Sequence, residues 1–330
     1  MAYKDTDYLY ISAYLRTKEN SLLTAARMER MLDASSDQDA LKILGECGYD
    51  LPEGLSQPEI YRALSARLEA EFTELAALAD NTGLVDAFRL KYDYHNARTL
   101  LKAAALGTDA SDQLVSAGTI DTGKLKEAVL TGDYSRLPDG FAAALTEAAQ
   151  TLGATRDPQR CDFVLDRAYY KALAAQAEAA NSAALADYVR CLVDGANLKA
   201  VARALRLGKS GDFLGEVLAQ GGTVSPETLT QTVAAGGEIK DLYAAPLTEA
   251  AGMVSAAAEG GSLTAFERAC DNALNVYLQS ARFVPFGDAV LVSYLAAREA
   301  ELTAARVILA GRSAGLPADV IRERLRDAYV

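Results

Sequence analysis

Few residues in this chain have the types and spacing that chemistry requires. Gly208-Lys209-Ser210 has the tail of a phosphate-binding loop, in which a strand runs into G-x-x-x-x-G-K-S/T and backbone N–H groups cradle the phosphates. The position where the first glycine belongs is Arg203, and no strand pattern precedes it, so the segment reads as the end of a helix. His95 is the sole histidine, which excludes HExxH and two-histidine metal sites. A serine or cysteine nucleophile would have to use His95 as its base, and Asp93, two residues away on another helix face, is badly placed to orient it. A capping or interhelical role is the simpler reading. Cys47, Cys161, Cys191 and Cys270 lie 30 or more positions apart, without zinc or CxxC spacing; they read as reduced, half-buried thiols of a cytosolic protein. Among 45 acidic residues, none stands out as a general acid or base. No catalytic, cofactor-binding or metal-ligating residue is expected.

What does repeat is a charge pattern. Asp93 precedes Arg98, Asp194 precedes Lys199 and Glu301 precedes Arg306, each acid five positions before its base. An aliphatic residue (Leu100, Val201, Ile308) sits two after each base, and a glycine (Gly107, Gly208, Gly315) nine after it. At about 100° per residue, acid and base five apart point roughly 140° away from each other, so they do not pair along one helix, where spacings of three and four work. Two readings stay open for these six residues: interhelical salt bridges, or a charged ring about a pseudo-threefold axis that grips a partner. Further repeats join them. Gly118-Thr119-Ile120 with Leu125, Val129 and Gly132 returns as Gly222-Thr223-Val224 with Leu229, Val233 and Gly236, and Leu145-Thr146-Glu147-Ala148-Ala149 returns as Leu247-Thr248-Glu249-Ala250-Ala251. Ser21-Leu22-Leu23-Thr24 is a weaker copy of the Gly118 and Gly222 segments. Three units follow, at 1–110, 111–214 and 215–330, each of about 105 residues and large enough for a small domain.

The elements that carry this pattern are helices. Alanine and leucine dominate, strand-like alternation is absent, and Leu291, Tyr294, Leu295, Arg298, Leu302, Ala305 and Leu309 form one stripe at helical spacing. The glycine after each base suits the left-handed position that ends a helix, and Pro317 suits the opening of the next one. Arg322-Glu323-Arg324-Leu325-Arg326-Asp327 reads as a solvated helix face with Leu325 and Val320 inward. Breaks are expected at 49–58, 136–140, 153–158, 208–211 and 283–287. The net charge of −12 argues against nucleic acid and against adsorption to anionic lipid; basic protein surfaces are the natural complement. The polar start of the chain does not read as a signal peptide, and no apolar run is long enough to span a bilayer. Tyr3, Tyr8, Tyr10 and Tyr14 cluster early and suit core edges and interfaces equally.

The same repeated residues carry a family resemblance. Leu90-Lys91-Tyr92-Asp93-Tyr94-His95-Asn96, followed by Leu100-Leu101-Lys102-Ala103, resembles a signature of the C (or d) component of V/A-type rotary ATPases. Phe286-Gly287, Tyr294 to Glu301, Arg306 to Gly311, Gly315-Leu316-Pro317, Ile321 to Arg326 and Tyr329-Val330 are similar to that family's C-terminal pattern, and Tyr10 to Arg16 with Leu22-Leu23-Thr24 to its opening helix. The middle matches most loosely, with Gly195 where a bulkier residue is expected. The resemblance implies an all-α, funnel-like protein of three similar helical-bundle domains about a pseudo-threefold axis. It implies a non-catalytic central-stalk component that sits on the membrane proteolipid rotor ring, receives the tip of the D/F-type central shaft and transmits torque for ATP-driven proton or sodium transport or ATP synthesis. The place implied is the cytoplasmic face of the membrane, peripheral through protein partners, with no bilayer insertion, small-molecule ligand or cofactor. The rival reading is a helical protein–protein interaction scaffold unrelated to rotary ATPases.

Overall fold

A computed structural model describes residues 3–49, 51–209 and 211–330; Ser210 of the Gly208-Lys209-Ser210 segment, and Met1 and Ala2, lie outside the described residues. Among the described residues there are sixteen α-helices, four short 3-10 turns and no strand. Helices α1 (Leu9–Glu19), α2 (Ala25–Leu32), α3 (Asp37–Glu46) and α4 (Gln57–Leu78) lead into the long α5 (Thr82–Leu106). Next, α6 (Thr122–Thr131), α7 (Asp139–Thr155) and α8 (Pro158–Ala179) lead into the long α9 (Ala183–Arg206). Then α10 (Gly211–Val217), α11 (Pro226–Ala234), α12 (Thr248–Gly252), α13 (Val254–Ala258) and α14 (Leu263–Gln279) lead into the longest, α15 (Asp288–Ser313), and α16 (Ala318–Arg322) follows.

Local chemistry sets these boundaries. Thr24, Asp121 and Ser225 each accept a backbone N–H in the first turn of α2, α6 and α11, satisfying a donor that has no intrahelical partner. Ser56 and Glu59 cap α4 reciprocally. At the other ends Gly107, Gly208 and Gly315 take φ of 65°, 62° and 67°, a left-handed conformation open to glycine at little cost. Gly208 therefore closes α9 as a helix end.

Two of the three long helices, α5 and α9, are divided between two environments. The first halves of all three belong to one shared core, through Leu84, Val85 and Phe88 of α5, Leu185, Tyr188 and Val189 of α9, and Val290, Leu291 and Tyr294 of α15. Phe88 and Tyr188 meet there at a tilt of 31°, with ring centroids 5.3 Å apart. The start of each is tied to the others: Asn81 donates to Ala180 O at 2.8 Å, Gln176 to Gly83 O at 3.0 Å, and Ser182 to Asp288. The second halves of α5 and α9 part company, while that of α15 stays in the shared core. Tyr94 to Leu101 pack with α6, α7 and the start of α8; Leu198 to Ala204 pack with α10 to α14; Leu302 to Leu309 pack near α2 and α3. Burying each such leucine or phenylalanine contributes roughly 1.5–3 kcal/mol.

The structure corrects two expectations. Arg322 to Asp327 do not form a helix face, because α16 stops at Arg322 and the chain continues without helix to Val330. The tail is held by side chains instead: Asn275 Nδ2 donates to Asp327 O, Gln279 Nε2 to Ala328 O, and Asp327 N to Asn272 Oδ1, at 2.8–3.0 Å. Leu325 is buried, Val320 only half-buried. The four cysteines are buried free thiols rather than half-buried ones, because each faces one of the apolar cores.

Candidate functional site

The repeated carboxylates are buried and each grips a helix start. Asp93 Oδ2 accepts from Thr119 N (3.1 Å) and Thr119 Oγ1 (2.6 Å), and Oδ1 from Ile120 N (2.9 Å). Asp194 accepts from Thr223 N (3.0 Å), Thr223 Oγ1 (2.5 Å) and Val224 N (3.4 Å). Glu301 Oε2 accepts from Leu23 N (2.6 Å) and Oε1 from Tyr49 Oη (2.6 Å). The gripped residues, Ile120, Val224 and Leu23, immediately precede the cap residues Asp121, Ser225 and Thr24. Gly118 and Gly222 are required by this contact. A Cβ on either would press into the carboxylate, within 3.0 Å of Asp93 Cγ or Asp194 Cγ and closer still to an oxygen. The bonds from Asp93 and Asp194 cross the positions 110/111 and 214/215.

The repeated cations reach different helices. Arg98 of α5 bonds Asp166 of α8, with its Nε 3.2 Å from Asp162 Oδ1. Lys199 of α9 bonds Asp271 of α14, which also takes Arg326 Nε at 2.7 Å. Arg306 of α15 donates to Ser65 Oγ of α4 at 2.6 Å and lies 5.8 Å from the Tyr61 ring centroid; among the described residues it has no carboxylate partner at salt-bridge distance, and its Nε is buried without an acceptor. The three cations thus span α5 to α8, α9 to α14 and α15 to α4, the same step taken three times. His95, on exposed α5 surface, faces Gln113 O at 3.4 Å.

Two features escaped sequence reasoning. Asn96 and Asn197 clamp a loop peptide: Asn96 Nδ2 donates to Val115 O and Oδ1 accepts from Val115 N (2.7 and 2.9 Å), and Asn197 does the same with Ala219 (2.8 Å each). The signal was an asparagine three residues after the acid in two copies; the third has Ala304. The second feature is a buried ionic hub around Arg298, which is 3% exposed. Its Nε donates to Glu71 Oε2 (2.7 Å), its Nη1 to Glu301 Oε1 (2.5 Å), and its guanidinium lies 5.2 Å from the Tyr49 ring centroid. Tyr294 Oη donates to Glu71 Oε1 at 2.5 Å, and Lys18 Nζ lies 3.5 Å from the same oxygen.

Burial pushes the Asp93, Asp194 and Glu301 carboxyls above the usual carboxylate range, against the donors that hold them. Burial acts the same way on Glu71, but Arg298, Tyr294 and Lys18 outweigh it and hold its carboxyl low. Burial would lower Arg298, and the surrounding Glu301, Tyr49 and Glu71 raise it instead. Among the described residues no cluster of His, Cys, Asp and Glu is arranged to hold a metal ion, and no helix is long and apolar enough to cross a membrane.

Among the described residues the packing is helical without strands, the repeated carboxylates accept from backbone N–H groups and the repeated cations bond neighbouring helices. Comparison with known proteins gives the class. The family model described as ATP synthase (C/AC39) subunit matches residues 11–324. The chain is 23% identical to the C component of the V-type sodium ATPase of Enterococcus hirae, covering 98% of this chain and 99% of that one. It is 27% identical to the C component of the A-type ATP synthase of Haloquadratum walsbyi (95% and 96% covered) and 24% identical to that of the V-type ATP synthase of Thermus thermophilus (97% and 98% covered). The chain belongs to the C/AC39 family of V/A-type rotary ATPase components. That membership sets aside the reading as an unrelated scaffold.

Proposed function

We propose that this protein is a non-catalytic coupler that joins the central shaft to the membrane rotor ring, through protein contacts alone. The observation that carries this is the family match over nearly the whole chain, residues 11–324. The physical features agree with it. A coupler must hold two partners and deform little, and close-packed helices resist deformation. In this reading the three related units wall a funnel, with the first halves of the long helices forming the common body. Arg98, Lys199 and Arg306 line the seat of the shaft, while Asp93, Asp194 and Glu301 fix the walls from within. The net charge of −12 favours basic partner surfaces.

The test is capture of purified shaft proteins and of detergent-solubilised rotor ring by the purified chain, together and separately. Both are expected to bind at once. Arg306→Glu, at a position with no carboxylate partner among the described residues, is expected to change shaft affinity at least threefold while ring capture and the helical circular-dichroism spectrum stay unchanged; the Ser65→Ala variant, which removes the same intramolecular bond, controls for any fall in the melt. Failure of the wild-type chain to bind either partner overturns the proposal.

A further inference from the structure

The repeated cations have companions, and the third copy lacks what the other two have. Four residues after each cation, one turn along the same helix, stand Lys102 in α5, Arg203 in α9 and Ala310 in α15. The facing helix of the first copy, α8, presents two acids four apart. Asp162 takes Arg98 at 3.2 Å and Lys102 at 2.7 Å, and Asp166 takes Arg98. The facing helix of the second copy, α14, does the same: Asp271 takes Lys199, and Glu267 takes Arg203 at 2.6 Å. In the third copy the facing helix is α4, and the corresponding places hold Tyr61 and Ser65, again four apart. Two cations thus meet two carboxylates twice, and then one cation meets an aromatic ring and a hydroxyl.

We propose that the place left without a carboxylate, beside Arg306, takes an acidic side chain of the shaft. The inference rests on the shaft reading above and names one point of attachment. Hydrogen bonding supports it. A guanidinium carries five N–H donors. Among the described residues Ser65 Oγ takes one from Arg306, at 2.6 Å, and Nε is buried without an acceptor. A carboxylate matches the geometry of that fork. Local charge supports it as well. Glu299, seven residues before Arg306 on α15, is already engaged by Tyr92 Oη at 2.8 Å and Lys91 Nζ at 3.3 Å. Burial holds the His95 imidazole below its ordinary value, and Arg98, Arg306 and Lys91 all push the same way. The surface here is therefore cationic, although the whole chain carries −12. It can be reached: His95 and Thr303, the latter one turn before Arg306, are exposed, and Arg306 is half-buried. A side chain on a docked protein suits the place better than a dissolved anion. Lys91 is committed to Glu299 and Arg98 to Asp162 and Asp166, so that of these three cations Arg306 is left to hold the ligand. A group tethered by a wider interface arrives at a high effective concentration that a free anion lacks.

The test supplies the missing carboxylate from within. Ser65→Asp places one where Asp166 and Asp271 stand in the other copies, and Ser65→Asn matches its size without its charge. Purified shaft proteins are the probe, and calorimetry or interferometry is the readout. Ser65→Asp is expected to weaken shaft binding at least fivefold, with an unchanged or higher melting temperature and unchanged ring capture; Ser65→Asn is expected to stay within twofold. Arg306→Gln, which keeps a donor for Ser65 and removes the charge, is expected to weaken binding by a similar factor, and it decides the matter if Ser65→Asp does not fold. The loss in Arg306→Glu is expected to be rescued by one Asp→Lys or Glu→Lys substitution in a scan of the shaft's acidic residues, which a merely structural role would not allow. Folded Ser65→Asp and Arg306→Gln variants that lose less than fivefold overturn the acidic contact and leave the coupler reading standing. So does a complete scan without rescue, or an equal loss in Ser65→Asn, which makes bulk the cause. Inorganic phosphate that raises the melting temperature of the wild type but not of Arg306→Gln, with equal shaft binding by the two, assigns the place to a free anion instead. A wild-type chain that does not bind the shaft overturns both readings.

Discussion

Replacing Arg298 by methionine tests whether the ionic hub holds the fold. Methionine keeps much of the side-chain volume and removes the charge, leaving Glu71 and Glu301 without their shared cation, at 1% and 5% exposure. Glu71 retains Lys18 at 3.5 Å and the Tyr294 hydroxyl, and Glu301 retains Tyr49 and the Leu23 N–H. Breaking a buried pair by removing one partner costs about 3–5 kcal/mol. With an unfolding entropy of about 2.1 cal/mol/K per residue, a chain of 330 residues has roughly 0.7 kcal/mol/K, so for one cooperative transition the melting temperature should fall by about 4–7 °C. Scanning calorimetry and urea titration at pH 7 measure this directly. Arg298→Met/Glu301→Gln should be less unstable than the separate costs add up to, by about 0.5–3 kcal/mol, because the second change removes a charge that the first left stranded. The deficit of Arg298→Met should also narrow at pH 5, where the stranded carboxyls take up protons. A cost below about 1 kcal/mol, or strict additivity in the double variant, would refute the assignment of the hub as an energetically coupled group, since contacting charges should couple by more than this.

Two further tests address the repeated carboxylates. Gly118→Ala and Gly222→Ala should each destabilise by about 1–3 kcal/mol, the cost of a buried polar group losing its donors, whereas Gly153→Ala, within α7 with nothing inside 4 Å of the new Cβ, should stabilise by about 0.5–1 kcal/mol; equal effects at the three sites on urea titration would count against the carboxylate contact. Burial raises the Asp93 carboxyl in the folded chain, so that the folded chain keeps a proton which the unfolded chain has lost above its own value near ~4. Stability from this group is therefore present at low pH and is lost as pH rises through the raised value, and the cost of Asp93→Asn should shrink between pH 4.5 and pH 7; a cost that grows over that range contradicts the direction.

What could be read from the chain divides along a physical line. Helix ends were legible because glycine's conformational freedom is local: Gly107, Gly208 and Gly315 announce a left-handed position whatever surrounds them. The α15 stripe was legible because burial repeats at helical period. That Asp93 does not pair with Arg98 followed from helix geometry alone. Its acceptor role did not, because Thr119 and Ile120 lie across a connection of no regular period, and only the fold brings them within about 3 Å. Arg322 to Asp327 misled for a related reason. Helical spacing of mixed charge describes a solvated helix as well as a strap held by Asn272, Asn275 and Gln279, and propensity cannot separate the two when tertiary contacts supply the hydrogen bonds. Arg298 was visible as a member of the stripe, but its partners, Glu71 and Glu301, come from α4 and from one turn further along α15. Sequence pattern favoured reading the arginine's position over its charge.

The third carboxylate says most about how the molecule closes. Asp93 grips residues 26 and 27 positions later and Asp194 residues 29 and 30 positions later. Glu301 reaches back instead, to Leu23. The segment it takes, Leu22-Leu23-Thr24, is the weak copy of the Gly118 and Gly222 segments and caps α2 as those cap α6 and α11. The cations take the same step, Arg306 returning from α15 to α4 where Arg98 and Lys199 go forward to α8 and α14. The weak similarity of the first copy then has a physical cause. Ser21 stands where the other copies have Gly118 and Gly222, and Leu22 where they have Thr119 and Thr223; Glu301, one methylene longer than aspartate, takes the Leu23 N–H, and Tyr49 supplies the second donor that threonine supplies elsewhere. The same joint carries Arg298, so that among the described residues three of the five buried charged side chains, Glu71, Arg298 and Glu301, meet there. That is where loss of a single partner should be felt most.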